Sequence, residues 1–267
     1  MSVDPKKQRK ILIVHGVQSG SDEDQKQDRI ITELVNNRLG NIPLDFKSEL
    51  YRYENINDAA QKKIRLLSNL LIKTPVGEFV AKKVIDTVGD VVTSYLNTST
   101  AAKIREGLKK QILENYDNGY PCYIVAHSLG SIYAFDVINA LMKEDEYFDR
   151  GSRKTWPVQG LMTLGSPIGL SIFKNKNRKK VTNLGPGNKW FRWLNFWDRT
   201  DPIVSGNIFG KQLQGYDIAE KYQSKSLNQG WVIRDKTVDT GKVWLMAHVG
   251  YWDNPVVGDH LVDMITN

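Results

Sequence analysis

Strands that alternate with amphipathic helices predict an α/β chain, with a mainly parallel sheet covered by helices on both faces. Three observations carry this. Short apolar, β-rich runs recur along the chain, helical periodicities separate them, and between Tyr120 and Leu141 one pattern turns into the other within a few residues. The chain has 267 residues, of which 40% are hydrophobic and 25% charged. That is enough to bury a sizeable core in a single α/β domain. No internal repeat, low-complexity segment or linker divides the sequence, so one domain over 1–267 is expected.

In order, Lys10 to Val17 reads as a first strand ending in His15-Gly16-Val17. Polar residues lead from it into a helix carrying Ile30, Ile31, Leu34, Val35 and Leu39, with Gly40 at its C-cap. Leu44 to Tyr53 alternates as a second strand. Ile56 to Leu96 is a long helical stretch broken near Thr74-Pro75. An insertion of this size, around 56–97, is read as a helical cap or lid over a site, or as plain packing helices. Ala101 to Tyr116 is an amphipathic helix closed by Asn118-Gly119.

Tyr123 to Ala126 is a buried strand, and from Ser131 the period becomes helical through Ile132, Phe135, Ile138 and Leu141. Between them lies Ala126-His127-Ser128-Leu129-Gly130. A serine at the apex of so short a strand-to-helix turn is thrust out of the sheet edge, with a helix N-terminus behind it. Small residues two before and two after let strand and helix approach. This is the logic of the nucleophile elbow, with Ala126 in the first glycine position. The plainer alternative is a serine N-cap. Val158 to Leu164 is the next strand, ending in Gly165-Ser166-Pro167. Lys174 to Lys180 holds five basic residues in seven positions and reads as a solvated loop, or as one that meets an anionic substrate. Lys189 to Trp197 is an aromatic strand followed by Asp198-Arg199-Thr200-Asp201-Pro202. Gly206 to Gly230 is irregular, and Trp231 to Asp239 is a segment able to pair with its neighbours. Val243 to Ala247 is expected as the last strand, delivering His248. Pro255 to Ile265 is a closing helix with Pro255 in its first turn.

A serine hydroxyl is a poor nucleophile near neutral pH and needs a base, which in turn needs an orienting acid. The chain has four histidines. Of these, His248 and His260 follow Ser128, as the order serine, acid, histidine requires. His248, at a strand end, is the expected base; His260 lies within the closing helix. His127 suits packing beneath the elbow, and His15 a structural hydrogen bond. Asp198 and Asp201 both follow the aromatic strand. Asp201 is favoured as the acid because the Asp-Pro turn carries its carboxylate onward, and Asp198 is left to brace that turn. Backbone N–H groups of Leu129 and Val17 are the expected oxyanion donors.

The net charge of +7 favours anionic surfaces without choosing among them. No G-x-x-x-x-G-K-[ST] run and no zinc-like Cys/His spacing occurs, so no nucleic acid, metal or cofactor is expected. The single cysteine, Cys122, cannot form an intrachain disulfide and reads as a small core residue. The apolar run behind the basic N-terminus is too short for a signal peptide, which suggests a cytoplasmic protein.

Taken together, His15-Gly16, Ala126 to Gly130, Leu164 to Pro167, Asp198 to Pro202 and Ala247 to Trp252 resemble the α/β-hydrolase fold, within its lipase- and esterase-like serine hydrolases. The resemblance spans most of the chain and implies that Ser128, Asp201 and His248 take the triad positions. Ala126 departs from the usual first glycine, and the stretch from Ile56 to Leu96 matches nothing in that family. The implied activity is cleavage of carboxylic esters, acyl-lipid esters at a membrane surface among them, through an acyl-enzyme. A thioesterase, amidase or acyltransferase would use the same three residues. A non-catalytic interaction module on this fold, binding an acidic partner through the basic surface, is the alternative from a different class.

Overall fold

The computed structural model describes residues 2–16, 26–53, 99–144, 146–147, 155–169, 191–205, 232–242 and 245–267. The expected insertion around 56–97, the basic run from Lys174 to Lys180 and the irregular stretch from Gly206 to Gly230 lie outside them.

Six parallel strands form the sheet: β1 (Arg9–Val14), β2 (Phe46–Leu50), β3 (Cys122–His127), β4 (Val158–Leu164), β5 (Arg192–Trp197) and β6 (Val232–Thr237). Their spatial order is β2-β1-β3-β4-β5-β6. The three central apolar runs, β1, β3 and β4, are buried along nearly their whole length. Continuous apolar runs are what a parallel sheet covered on both faces requires. Helices α1 (Gln27–Leu39), α2 (Ser99–Asp117), α3 (Leu129–Leu141), α4 (Pro202–Ser205), α5 (Leu245–Val249) and α6 (Pro255–Thr266) complete the described elements, with a 3₁₀ turn at Pro167–Gly169.

Alternation along the strands sorts the core into two layers. Leu12, Val14, Ile124 and Ala126 pack with Ile104, Leu108 and Ile112 of α2 and with Tyr133 and Val137 of α3. Ile11, Ile13, Tyr123 and Val125 pack instead with Ile31, Leu34 and Val35 of α1 and with Leu261, Met264 and Ile265 of α6. Helices therefore cover both faces, as predicted. Within the second layer a Cβ on Gly160 of β4 would lie 2.5 Å from Met264 Sδ, so glycine there lets α6 approach the sheet.

Several expectations hold at residue level. Gly40 ends α1 with φ 55°. Pro255 begins α6, and the Asn254 side chain caps it by accepting from the Val256 N–H at 3.0 Å. Cys122 is fully buried, and burial pushes its thiol pKa up to about 12. One expectation is overturned. Of the strand expected from Val243 to Ala247, the described part, Leu245 to Ala247, lies in a short helix, Leu245–Val249, and the last strand among the described residues is β6, paired in parallel with β5. A brief apolar run without periodicity suits a buried helical turn as well as a strand. The Arg234-Asp235-Lys236 run of β6 hides the strand character that an edge position tolerates. Among the described residues, no helix is long and apolar enough to cross a membrane.

Candidate active site

The connection from β1 leads through α1 to β2 on one side, and that from β3 leads through α3 to β4 on the other. The carboxyl ends of β1 and β3 thus flank a point where the strand order reverses, a place where open α/β sheets form a crevice. Ser128 follows β3 at that point. Its backbone has φ 51° and ψ −126°, and it is the sole non-glycine residue with positive φ among those described. Positive φ in a residue with a Cβ costs energy and persists where the surroundings enforce it. Here the Ser128 N–H donates to the Leu164 carbonyl at 3.0 Å, and its own carbonyl accepts from Ser131 N–H at 3.0 Å and Ser131 Oγ at 2.5 Å. Ser131 Oγ is in turn bonded to Ser166 Oγ at 2.7 Å.

Ser128 occupies the N-cap position of α3, yet its side chain makes no capping hydrogen bond. Its Oγ lies instead 2.9 Å from His248 Nε2. His248 Nδ1 lies 2.9 Å from Asp201 Oδ2. A carboxylate only accepts, so Nδ1 carries the proton and Nε2 is left to accept from the serine hydroxyl. The three residues that the sequence singled out are therefore joined in one chain of hydrogen bonds, all buried: Ser128 is 8% exposed, His248 4% and Asp201 0%. His248 reaches the serine from α5, a helix, rather than from a strand end.

The remaining candidates separate cleanly. Asp198 accepts from the backbone N–H and the hydroxyl of both Thr200 and Thr240, at 2.7 Å in each case. Burial pushes its carboxyl pKa up, but these four bonds outweigh burial and hold it below the usual value. It braces the turn that presents Asp201. Two aspartates outside the candidate set are engaged elsewhere: Asp136 pairs with Arg105 at 2.8 Å, and Asp235 accepts from Asn195 Nδ2 at 2.8 Å. His260 sits on α6 with its ring 5.6 Å from Phe196. His15 donates from Nδ1 to the Gly16 carbonyl at 2.8 Å and stacks on Tyr53, whose hydroxyl donates to the carbonyls of His15 and Gly16 at 2.7 and 3.0 Å. Leu129 opens α3, so its N–H has no intrahelical acceptor and stands beside the serine. Val17 lies outside the described residues.

His127 does more than pack. Its Nε2 donates to the His248 carbonyl at 2.6 Å, and its ring lies 4.8 Å from that of His248 and 5.3 Å from that of Trp252. Burial, then the neighbouring His248, holds its pKa well below the ordinary histidine value, so the ring is a neutral strut between the elbow and α5.

Sequence reasoning missed three contributors. A Cβ on Gly16 would lie 2.5 Å from Ser128 Cβ, and one on Gly165 would lie 3.1 Å from His248 Nδ1 and 3.2 Å from Asp201 Oδ2. Both glycines keep space open for the Ser128, His248 and Asp201 side chains. Tyr251, three residues after His248, sends its hydroxyl to Asp201 Oδ2 at 2.7 Å. The spacing of one helical turn was the available signal.

Compared with known proteins, the chain matches no protein-family model, and no curated protein matches it in sequence. Among the described residues, no group of three or more His, Cys, Asp or Glu side chains is placed to hold a metal ion.

Proposed function

We propose that the protein is a serine hydrolase of the α/β-hydrolase type, cleaving carboxylic esters through an acyl-enzyme. The six-stranded parallel sheet is compatible with that fold. The observation that carries the reading is Ser128, held at φ 51° with its Oγ 2.9 Å from His248 Nε2. A strained backbone and a buried base at one hydroxyl have no use in a plain helix cap.

In this mechanism His248 Nε2 takes the Ser128 proton as Oγ attacks the ester carbonyl carbon. Asp201 keeps Nδ1 protonated and stabilises the imidazolium that forms. The carbonyl oxygen becomes an oxyanion beside the Leu129 N–H, where the helix N-terminus favours negative charge. Collapse of the tetrahedral species expels the alcohol, which receives the proton from Nε2. Water then attacks the acyl-serine, with His248 again as base, and returns free Ser128 and the carboxylic acid.

A fluorophosphonate probe tests this, with the labelled residue located by mass spectrometry. Labelling of Ser128 in the wild type, lost in Ser128→Ala and sharply reduced in His248→Ala, is the expected result. A folded wild-type protein that neither labels nor turns over any ester, with or without lipid vesicles, refutes it. A chain-length series of esters, extended to thioesters, then ranks the acyl and leaving groups.

A further inference from the structure

We propose that Tyr251 is a positioning residue for the acid: its phenolic proton holds Asp201 Oδ2 in place and tempers the basicity that Asp201 passes to His248. This rests on the reading of Ser128, His248 and Asp201 as a catalytic set. The Tyr251 ring is fully buried, and its oxygen has two described partners with opposite roles. The Asp198 backbone N–H donates to it at 3.0 Å, so one lone pair is taken. Its single proton is therefore directed to Asp201 Oδ2, 2.7 Å away, within the range of charge-assisted O–H···O⁻ bonds. Burial, then the Asp201 charge, raises the phenol pKa well above its ordinary value, so it stays a donor across the working pH range.

Oδ2 is the same oxygen that accepts from His248 Nδ1 at 2.9 Å, while Oδ1 accepts from the Ile203 N–H at 2.9 Å. Each hydrogen bond to a carboxylate withdraws negative charge and favours its ionised form. Tyr251 thus competes with His248 for the charge on one atom. His248 and Tyr251 leave the same turn of chain, so the segment that delivers the base also delivers the group that tunes its partner. Gly165 admits both, since a Cβ there would lie 2.8 Å from Tyr251 Cε2 as well as 3.1 Å from His248 Nδ1.

The sign of the effect follows. Removing the phenolic proton leaves Asp201 a stronger acceptor for Nδ1–H and makes imidazolium easier to form. The titratable and charged groups around His248 are Asp201 just before α4, His127 below the elbow, with His15 beyond it, and Tyr251 with Asp198 behind it. Lys242 packs at Gly250 of the same turn. Tyr251→Phe alters only one of these.

The experiment compares Tyr251→Phe with wild type by the pH profile of ester kcat/KM and by NMR titration of the His248 ring. The acid limb and the ring midpoint are both expected to move to higher pH, by about half a unit or more. Fluorotyrosine at 251, a stronger donor, is expected to move them to lower pH, and it guards against a phenylalanine variant that fails to fold. A purely structural tyrosine would lower stability and leave both midpoints in place, and that result overturns the proposal. Should the wild type hydrolyse no ester, the proposed activity fails, while the His248 ring titration still decides whether Tyr251 tunes the pair.

Discussion

Replacing Ser128 by glycine should stabilise the fold relative to replacing it by alanine, the reverse of the usual order. The backbone at Ser128, φ 51° and ψ −126°, nearly repeats that of Gly40 at the end of α1, φ 55° and ψ −117°. Glycine takes such a conformation freely, whereas a residue with a Cβ pays about 1–3 kcal/mol. At an unstrained site alanine would be the more stable by about 0.4–1 kcal/mol, because glycine leaves the unfolded chain more entropy to lose. The central values, about 2 and about 0.7, leave glycine ahead by roughly 1.3 kcal/mol. Both variants lose the same hydroxyl and its 2.9 Å contact with His248 Nε2, so their difference isolates the backbone. Relief of the contact with Gly16, whose added Cβ would lie 2.5 Å from Ser128 Cβ, gives a second reading: Gly16→Ala should cost much less in the Ser128→Gly background. The assay is urea unfolding of all four variants, with equal m values as the check that one transition is compared. An alanine variant at least as stable as the glycine variant would refute the claim that the turn at Ser128 stores strain.

Two further outcomes follow from the same geometry. Gly165→Ala should cost about 2–6 kcal/mol, combining positive φ with crowding against Tyr251, His248 and Asp201, and should depress the proposed ester hydrolysis. Gly241→Ala, at φ 66° with nothing within 4 Å, should carry the backbone cost alone, and equal losses in the two variants by thermal unfolding would show that crowding at Gly165 is absent. Asp198 has a carboxyl pKa lowered in the folded state, so its contribution to stability is complete above the unfolded value near 4 and is lost as pH falls through the lowered one. Asp198→Asn should accordingly flatten the decline of stability below about pH 4, measured by urea titrations at stepped pH; an unchanged slope would assign the decline to other carboxylates.

The parts legible in the sequence are those where local pattern and burial agree. Tyr123 to Ala126 reads as a strand because a parallel strand inside the sheet is apolar on both faces, and the change of period at Ser131 marks the helix that the elbow starts. Chain order leaves His248 and His260, and the preference for His248 rests on an expected strand end that is in fact the helix Leu245–Val249; the residue still meets Ser128 because that helix delivers it to the same edge of the sheet. Val243 to Ala247 carries no period, so length and neighbours had to decide between strand and helix, and both are long-range properties. Gly16, Gly165 and Tyr251 escaped for a related reason. Each matters through an atom far away in sequence: Ser128 for Gly16, His248 and Asp201 for Gly165, and Asp201 for Tyr251. A glycine in a turn looks the same whether it supplies a dihedral angle or an empty space.

That empty space explains how one imidazole can join residues from non-adjacent strands. Ser128 follows β3 and Asp201 lies beyond β5, with β4 between them, so the gap to be bridged starts from two strand spacings, roughly 10 Å. Register sets His127 level with Leu164, and Leu164 level with Phe196, which puts Ser128, Gly165 and Trp197 at the same height on the sheet edge. Any side chain on the middle strand at that height would stand where the His248–Asp201 bond must pass, since a Cβ at 165 would lie 3.1 Å from Nδ1 and 3.2 Å from Oδ2. The middle strand therefore contributes no group to the proton chain and still governs whether it closes. By the same reasoning His248 cannot come from the middle strand at that height. It arrives instead on α5, a segment outside the sheet and so free of its strand spacing, anchored by the His127 hydrogen bond to the His248 carbonyl.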